Sequence, residues 1–360
     1  MSKFEDLLAR GGPLMADGAM GTMLFQAGLQ FGDAPETWNV AHPDVVRGIQ
    51  RQYIEAGSNI VLTNTFGGSR FRLAMHNLQD RVAELNKTAV ILLRAEIAAS
   101  GRDDVLVAGD IGPSGDILQP LGTLSYDDAV AGFEEQARAL VEAGADLIWI
   151  ETMSSLEEVQ AAFPGARRAS ATIPIITTLS FDTHGRTMMG VTPEQALTAM
   201  TELGAAAIGA NCGNGTDELF TAVQRMIAAG PIVPIVAKSN AGMPRLVSGK
   251  AHYDATPEEM AEYALQVRAA GATIIGGCCG SSPAHIAAMA AAAATIALRC
   301  HSGLRLKARS SSCGSTAPWQ CAQLSTGCST LPQRACSSRG GRPNSPPQRF
   351  SQIQRQSAIG

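Results

Sequence analysis

The sequence predicts an α/β protein, a closed (β/α)8 TIM-type barrel followed by a disordered C-terminal tail. Three observations carry that expectation. Eight short apolar runs, each ending in glycine or polar residues, alternate with stretches of helical periodicity over about 290 residues. Helix boundaries are marked at both ends: Thr192-Pro193-Glu194 and Thr256-Pro257-Glu258 place a capping hydroxyl before a first-turn proline, and Gly57, Gly144, Gly204 and Gly271 stand where helices end. An open doubly wound sheet is the alternative, but no glycine-rich phosphate fingerprint follows the first apolar run.

In chain order the expected strands are 13–16, 59–62, 105–108, 146–150, 173–176, 206–209, 232–236 and 273–275. Helical patterns lie between them, among them Asp44 to Ala56, the stretch after Ser125 that ends at Ala143-Gly144, and the stretch from Thr256 to Gly271. In a barrel of this kind the residues just past each strand share one mouth. Those residues are Asp17-Gly18, Thr63-Asn64-Thr65-Phe66, Gly109-Asp110, Glu151-Thr152, Ser180-Phe181-Asp182, Asn211-Cys212-Gly213, Lys238-Ser239-Asn240 and Gly276-Gly277-Cys278-Cys279-Gly280.

Composition narrows the classes of function. The chain has 360 residues, 45% of them hydrophobic and 17% charged, enough for a substantial core. Nine of its 28 basic residues lie from Arg299 onward with none of the 32 acidic ones, so the first 298 residues carry a net charge of −13. An acidic body argues against a nucleic-acid partner. The N-terminus has no basic and apolar leader, and no run of about 18 apolar residues could span a bilayer, so no membrane association and a cytoplasmic location are expected. Two segments follow from this reading: a barrel over 1–298, and a basic, Ser/Pro/Gln-rich tail over 299–360 that is disordered or out of frame.

Cysteine usage locates the chemistry. Before residue 300 there are three cysteines, Cys212, Cys278 and Cys279. In a reducing compartment sparse cysteines read as ligands or nucleophiles, and two adjacent ones can hardly bridge each other. They also pack as small apolar side chains. Cys212 ends the sixth expected strand and the Cys-Cys pair ends the eighth, so the three sulfurs can converge. Three thiolates leave one position open in a tetrahedral zinc shell, the mark of a catalytic rather than a structural site. Zinc so ligated is a poor activator of water but binds a further thiol as thiolate. An acidic mouth holding Asp17 and Glu151 suits a substrate ammonium, which points to an amino-acid thiol.

Asp17-Gly18-Ala19-Met20-Gly21-Thr22, Thr63-Asn64-Thr65-Phe66, Gly109-Asp110-Ile111-Gly112-Pro113, Glu151-Thr152, Asn211-Cys212-Gly213 and Gly276-Gly277-Cys278-Cys279-Gly280 resemble, in order, the motifs of the homocysteine S-methyltransferases, over roughly residues 10 to 297. The resemblance implies a zinc-containing barrel that forms methionine, with Cys212, Cys278 and Cys279 as zinc ligands. It also implies that Asp17, Gly18, Thr63 and Glu151 hold the amino-acid part of homocysteine. The methyl donor it implies is glycine betaine or another onium compound, or else methylcobalamin delivered by a cobalamin-carrying partner protein. Betaine-type members carry an aromatic residue where this chain has Gly67, and the candidates left for a cation cage are Trp38, Phe66 and Phe181. Two readings from other classes are a non-catalytic thiol–zinc redox or structural protein, and a lyase or hydrolase using Glu151, Lys238 or Asp182; neither accounts for the ordered motifs.

Overall fold

The computed structural model describes residues 2–243, 245–247 and 250–301, with the backbone alone for 246, 247, 250, 251 and 295–301. The tail expected beyond the barrel lies, past His301, outside the described residues. Eight parallel strands form the barrel: β1 (Leu14–Met15), β2 (Ile60–Leu62), β3 (Leu106–Ile111), β4 (Leu147–Met153), β5 (Ile175–Leu179), β6 (Ala207–Cys212), β7 (Ile235–Ser239) and β10 (Ile274–Gly277). Neighbours in sequence are neighbours in space, β10 pairs with both β7 and β1, and a bridge between Ala16 and Ile60 joins β1 to β2 and closes the ring. This is the TIM barrel expected from the alternation of elements.

The helices between the strands start and stop where side-chain chemistry dictates. Ser125 caps Tyr126–Glu142 by accepting the Asp128 N–H, and Thr192 and Thr256 cap Pro193–Leu203 and Pro257–Ala270 through reciprocal boxes with Gln195 and Glu259. The last helix spans Pro283–His301. Among the described residues no helix is long and apolar enough to cross a membrane.

One departure from the expected strands has a simple cause. β5 and β7 begin at Ile175 and Ile235, not at 173 and 232, because Pro174 and Pro234 have no N–H to give a ladder. Their carbonyls enter it instead, accepting from Ile148 and Ile208 at 3.0 and 3.1 Å. β3, β4 and β6 run past their expected ends, so that Asp110, Glu151 and Cys212 lie inside strands rather than beyond them. A short antiparallel hairpin after β7, β8 (Arg245–Val247) with β9 (Lys250–His252), was not anticipated.

Strand alternation sorts the core into two layers. Leu14, Ile60, Leu62, Leu106, Ala108, Leu147, Trp149, Ile176, Ala207, Val236 and Ile274 form the cluster inside the barrel, closed from below by Phe4 and Leu7 of the helix Lys3–Ala9. The intervening residues, among them Val61, Val107, Ile148, Ile208, Ile235 and Ile275, join the larger cluster under the helices. Two residues beyond Ala108, Trp149 and Val236 on the same inward parity come Asp110, Glu151 and Lys238. The charged groups are thus the top layer of the barrel interior.

Candidate active site

The Cys-Cys segment is a turn. The Ser281 N–H donates to the Cys278 carbonyl at 3.0 Å, and Gly280, with φ +80°, occupies the third position, where a type II turn needs a left-handed residue. The Cys278 N–H donates to the Ser239 carbonyl at 2.7 Å, and the Ala241 N–H to the Cys279 carbonyl at 2.9 Å, so the end of β7 holds the turn in place. Cys212 arrives differently. By strand alternation it should face away from the interior parity of Asn211, but its φ of +62° is left-handed and ends the alternation at that residue.

The three sulfurs therefore meet. Cys212 and Cys279 lie 4.0 Å apart, and all three Sγ atoms fall within 4.8 Å of one another. A tetrahedral shell with Zn–S bonds near 2.3 Å sets its sulfurs about 3.8 Å apart. The donor set, its spacing and its closeness to the cavity fit such an ion. As thiols alone the cluster is poorly disposed to ionise: the hydrogen bond with Cys212, then burial, push Cys278 well above its ordinary value.

A cavity of about 300 Å³ opens beside them, lined by Cys278, Cys279, Asp17, Gly18, Thr63, Asp110, Glu151 and Lys238 and, toward the outside, by Glu36, Phe66, Arg72 and His76. Cys212 lines a separate small void with Phe181, Asn211 and Leu219. The buried Lys238 ammonium sits 3.2 Å from Asp17 Oδ1, 3.8 Å from Glu151 Oε2 and 5.0 Å from the centre of the Trp149 ring. Burial alone would lower its pKa, but Asp17 and Glu151 more than reverse this and hold it above the ordinary lysine value. Three carboxylates face one ammonium here. Burial raises the pKa of Asp17, Asp110 and Glu151, and the Glu151 charge raises Asp110 further.

The carboxylates are not equivalent. Asp17 is fully engaged, Oδ1 with Lys238 and Oδ2 accepting the Leu62 N–H at 2.8 Å. Glu151 Oε2 and Asp110 Oδ1 are buried and accept no hydrogen bond among the described residues. Thr63 Oγ1 accepts the Asp110 N–H at 3.0 Å and contacts Thr65 Oγ1 at 2.6 Å, while Asn64 donates to the Pro35 carbonyl and to Asn39. A Cβ on Gly18 would come within 2.5 Å of the Ser281 carbonyl oxygen, so only glycine fits between β1 and the Cys-Cys turn. Asp110 was not among the residues singled out for substrate from the sequence; its signal was its place on the inward parity of β3.

Of the three aromatic candidates for a cation cage, Phe66 lines the cavity, whereas Phe181 lines the small void and Trp38 packs its ring 4.4 Å from that of His42. The space beside Gly67 belongs to Glu36, whose Oε1 accepts the Gly67 N–H at 2.7 Å and would lie 2.9 Å from a Cβ there.

Asp110 makes stability depend on pH with a definite sign. Its pKa is raised on folding, so the folded protein holds a proton that the unfolded chain has released, and stability falls as pH rises above the unfolded value near 3.9. Asp110→Asn removes that penalty. It is expected to raise the melting temperature at pH 8 and to leave it unchanged at pH 3.5, a comparison for thermal melts at the two pH values; a loss at pH 8 would show that the buried carboxylate is stabilising.

Residues 14–293 match the family model described as homocysteine S-methyltransferase. The methionine synthases of Mycobacterium tuberculosis and Mycobacterium leprae are 35% and 33% identical over 296 and 303 residues, covering 79% and 81% of this chain. The chain spans about a quarter of the length of either relative, 25% in each case. The metallated form of the homocysteine methyltransferase MmuM from Escherichia coli superposes with a TM-score of 0.68 at 25% identity, over 80% of this chain and 99% of that one. A methyltransferase from Methanosarcina mazei, 14% identical with a TM-score of 0.52, shares the fold over 82% of this chain and 98% of its own. A match to the family model over most of the barrel, together with the ordered motifs at the strand ends, shows that the chain belongs to the homocysteine S-methyltransferase family.

Proposed function

We propose that the protein methylates homocysteine on sulfur to give methionine, with zinc held by Cys212, Cys278 and Cys279. The observation that carries this reading is that two sulfurs of the three-sulfur cluster, Cys278 and Cys279, share a cavity with two buried carboxylate oxygens that accept no hydrogen bond among the described residues, Asp110 Oδ1 and Glu151 Oε2. When bound, zinc supplies a site that takes up a fourth thiol and lowers its pKa from about 8.5 while leaving it nucleophilic.

Asp110 and Glu151 receive the α-ammonium of the amino acid, the charge that the excess of carboxylate over ammonium in this cavity calls for. Asp17, Gly18 and Thr63 complete the amino-acid pocket: Asp17 by fixing Lys238, Gly18 by allowing the close approach of the Cys-Cys turn, Thr63 by holding the Asp110 backbone. The substrate sulfur then attacks the methyl carbon in line. A sulfur–carbon bond forms, the bond from carbon to the donor breaks, and its electron pair leaves with the donor. Positioning supplies most of the acceleration, and no side chain need move a proton at the sulfur.

Methylcobalamin carried on a separate protein or domain is the donor favoured by two observations. The curated relatives are methionine synthases several times longer than this chain, and Glu36 fills the space where an aromatic cage for an onium group would stand. Glycine betaine or another onium compound is the second reading, favoured by Phe66 and the acidic cavity wall. Zinc-loaded protein supplied with homocysteine and either methylcobalamin or glycine betaine is expected to form methionine from the first. Turnover with betaine would reverse the choice of donor, and no methionine from either would count against the reaction itself.

A further inference from the structure

Asp110 receives the substrate ammonium in the function proposed above, on which this inference rests, and its Oδ1 accepts no hydrogen bond among the described residues that would hold it in place. Its backbone does the holding. β2 pairs with β3 as far as Leu62 beside Ala108, and Asp110 stands two residues further along β3, where β2 has already ended. The Asp110 N–H and carbonyl on that edge must find other partners, because a buried peptide group left alone is costly. Side chains take the place of the missing strand. The Asp110 N–H donates to Thr63 Oγ1 at 3.0 Å, and its carbonyl accepts from Thr65 Oγ1 at 2.7 Å and from Gln136 Nε2 at 3.2 Å. Thr65 uses its one hydroxyl proton on that carbonyl, so Thr63, 2.6 Å away, donates to Thr65 and the ring of bonds closes.

Gln136 reaches this ring from outside the barrel. It lies wholly buried on the helix Tyr126–Glu142, and the same Nε2 donates to the Thr65 carbonyl at 2.8 Å and to Asn86 Oδ1 at 3.2 Å. Asn86 is oriented in turn by its Nδ2, which donates to the Gly68 and Val82 carbonyls at 2.8 Å each, so neither amide can turn over. A Cβ on Gly68 would lie 2.6 Å from Asn86 Oδ1 and 2.9 Å from Gln136 Nε2, so glycine lets both side chains reach the loop after β2. Burying a glutamine is costly, the more so because Gln136 Oε1 accepts no hydrogen bond among the described residues. An apolar side chain of similar size would fill the space without that cost. What the amide adds is one nitrogen that ties the loop after β2 to the end of β3. With the Asp110 N–H and carbonyl both pinned, only the side-chain torsions of Asp110 remain to be set. We infer that Gln136 is a positioning residue: through the Asp110 and Thr65 carbonyls it aims the Asp110 carboxylate at the substrate ammonium, and so selects amino-acid thiols over thiols without an ammonium.

Calorimetric titration of zinc-loaded protein with homocysteine and with 4-mercaptobutanoate, the same molecule without its ammonium, tests this with no methyl donor present. Wild type is expected to bind homocysteine the more tightly. Gln136→Met, close to glutamine in volume but with no donor, is expected to weaken homocysteine binding about tenfold, the order for losing a hydrogen bond to a charged group, and that of 4-mercaptobutanoate less than about twofold. Thr65→Val removes the other side-chain donor to the same carbonyl and leaves the helix untouched. It is expected to shift the ratio of the two affinities in the same direction, and it decides the question should Gln136→Met not fold. An unchanged ratio overturns the inference alone, whether both affinities fall together, as a merely structural role would give, or neither moves. Wild-type protein that binds the two thiols equally overturns the placing of the ammonium at Asp110, and the inference with it.

Discussion

Cys278→Ala is expected to abolish methionine formation and to weaken zinc binding by more than about 100-fold, the upper end of what the loss of a merely supporting residue costs a metal site. Among the described residues the sulfur removed is one of three that lie within 4.8 Å of one another, and it is one of the two that line the cavity. Little else depends on it. The turn is held by the Cys278 backbone, whose N–H donates to Ser239 and whose carbonyl accepts from Ser281, and alanine keeps both bonds. The variant should therefore fold, which separates loss of metal from loss of structure. Competition with a chromophoric chelator reads the affinity. The five further cysteines from Cys300 onward contribute the same background to both proteins. Full zinc affinity and full turnover in Cys278→Ala would defeat the proposed mechanism.

Lys238→Met is expected to cost about 3–5 kcal/mol of stability at neutral pH, the usual result of removing one member of a buried ion pair. The ammonium stands between Asp17 and Glu151 inside the barrel, and without it Asp17 Oδ1 loses its partner while three carboxylates remain. The sign with pH follows from linkage. In the wild type, Lys238 has a pKa raised above its unfolded value, so its contribution is fully present below about pH 10 and is lost only as pH climbs through the folded value. In the variant the carboxylates, already raised by burial, take protons more readily in the folded state than in the unfolded chain, so stability recovers as pH falls toward 5. Urea titrations at pH 8 and pH 5 give both numbers. A loss below about 1 kcal/mol, or the same loss at the two pH values, would mean that the charges are not coupled as described.

Much of this was legible in the sequence because the physics is local. The eight strands announce themselves as apolar runs, and Thr192, Thr256 and Ser125 mark helix starts by side-chain chemistry alone. The convergence of Cys212 with Cys278 and Cys279 followed from barrel topology and needed no distances. What stayed hidden depends on contacts distant in sequence. Asp110 and Glu151 looked like residues past a strand, since a charged side chain in a buried strand is costly and only Lys238, from a strand 87 residues after Glu151, makes it tolerable. The hydrogen bonds of Asn211 to Thr152 and Cys278 are invisible without the left-handed turns at Thr152 and Cys212. The β8–β9 hairpin has one signal in the sequence, the Ser-Gly pair at 248–249, which is faint between stronger elements. Glu36 could not be matched to Gly67 by any pattern, because the two meet only when the loops after β1 and β2 pack together.

The order of the site along the chain has a consequence for biosynthesis. Asp17, Thr63, Asp110 and Glu151 stand on or beside β1 to β4, while Cys212, Lys238, Cys278 and Cys279 come from β6, β7 and the turn after β10. A ribosome delivers the carboxylates of the cavity first and the Cys-Cys pair last. β1 has its bridge to β2 early but lacks its second neighbour until β10 has emerged, because Leu14 and Met15 pair with Ile274 and Ile275. No partly made chain holds three clustered thiols beside a finished pocket. The three-sulfur cluster comes into being only with the closing of the ring, so a chain released before β10 lacks it.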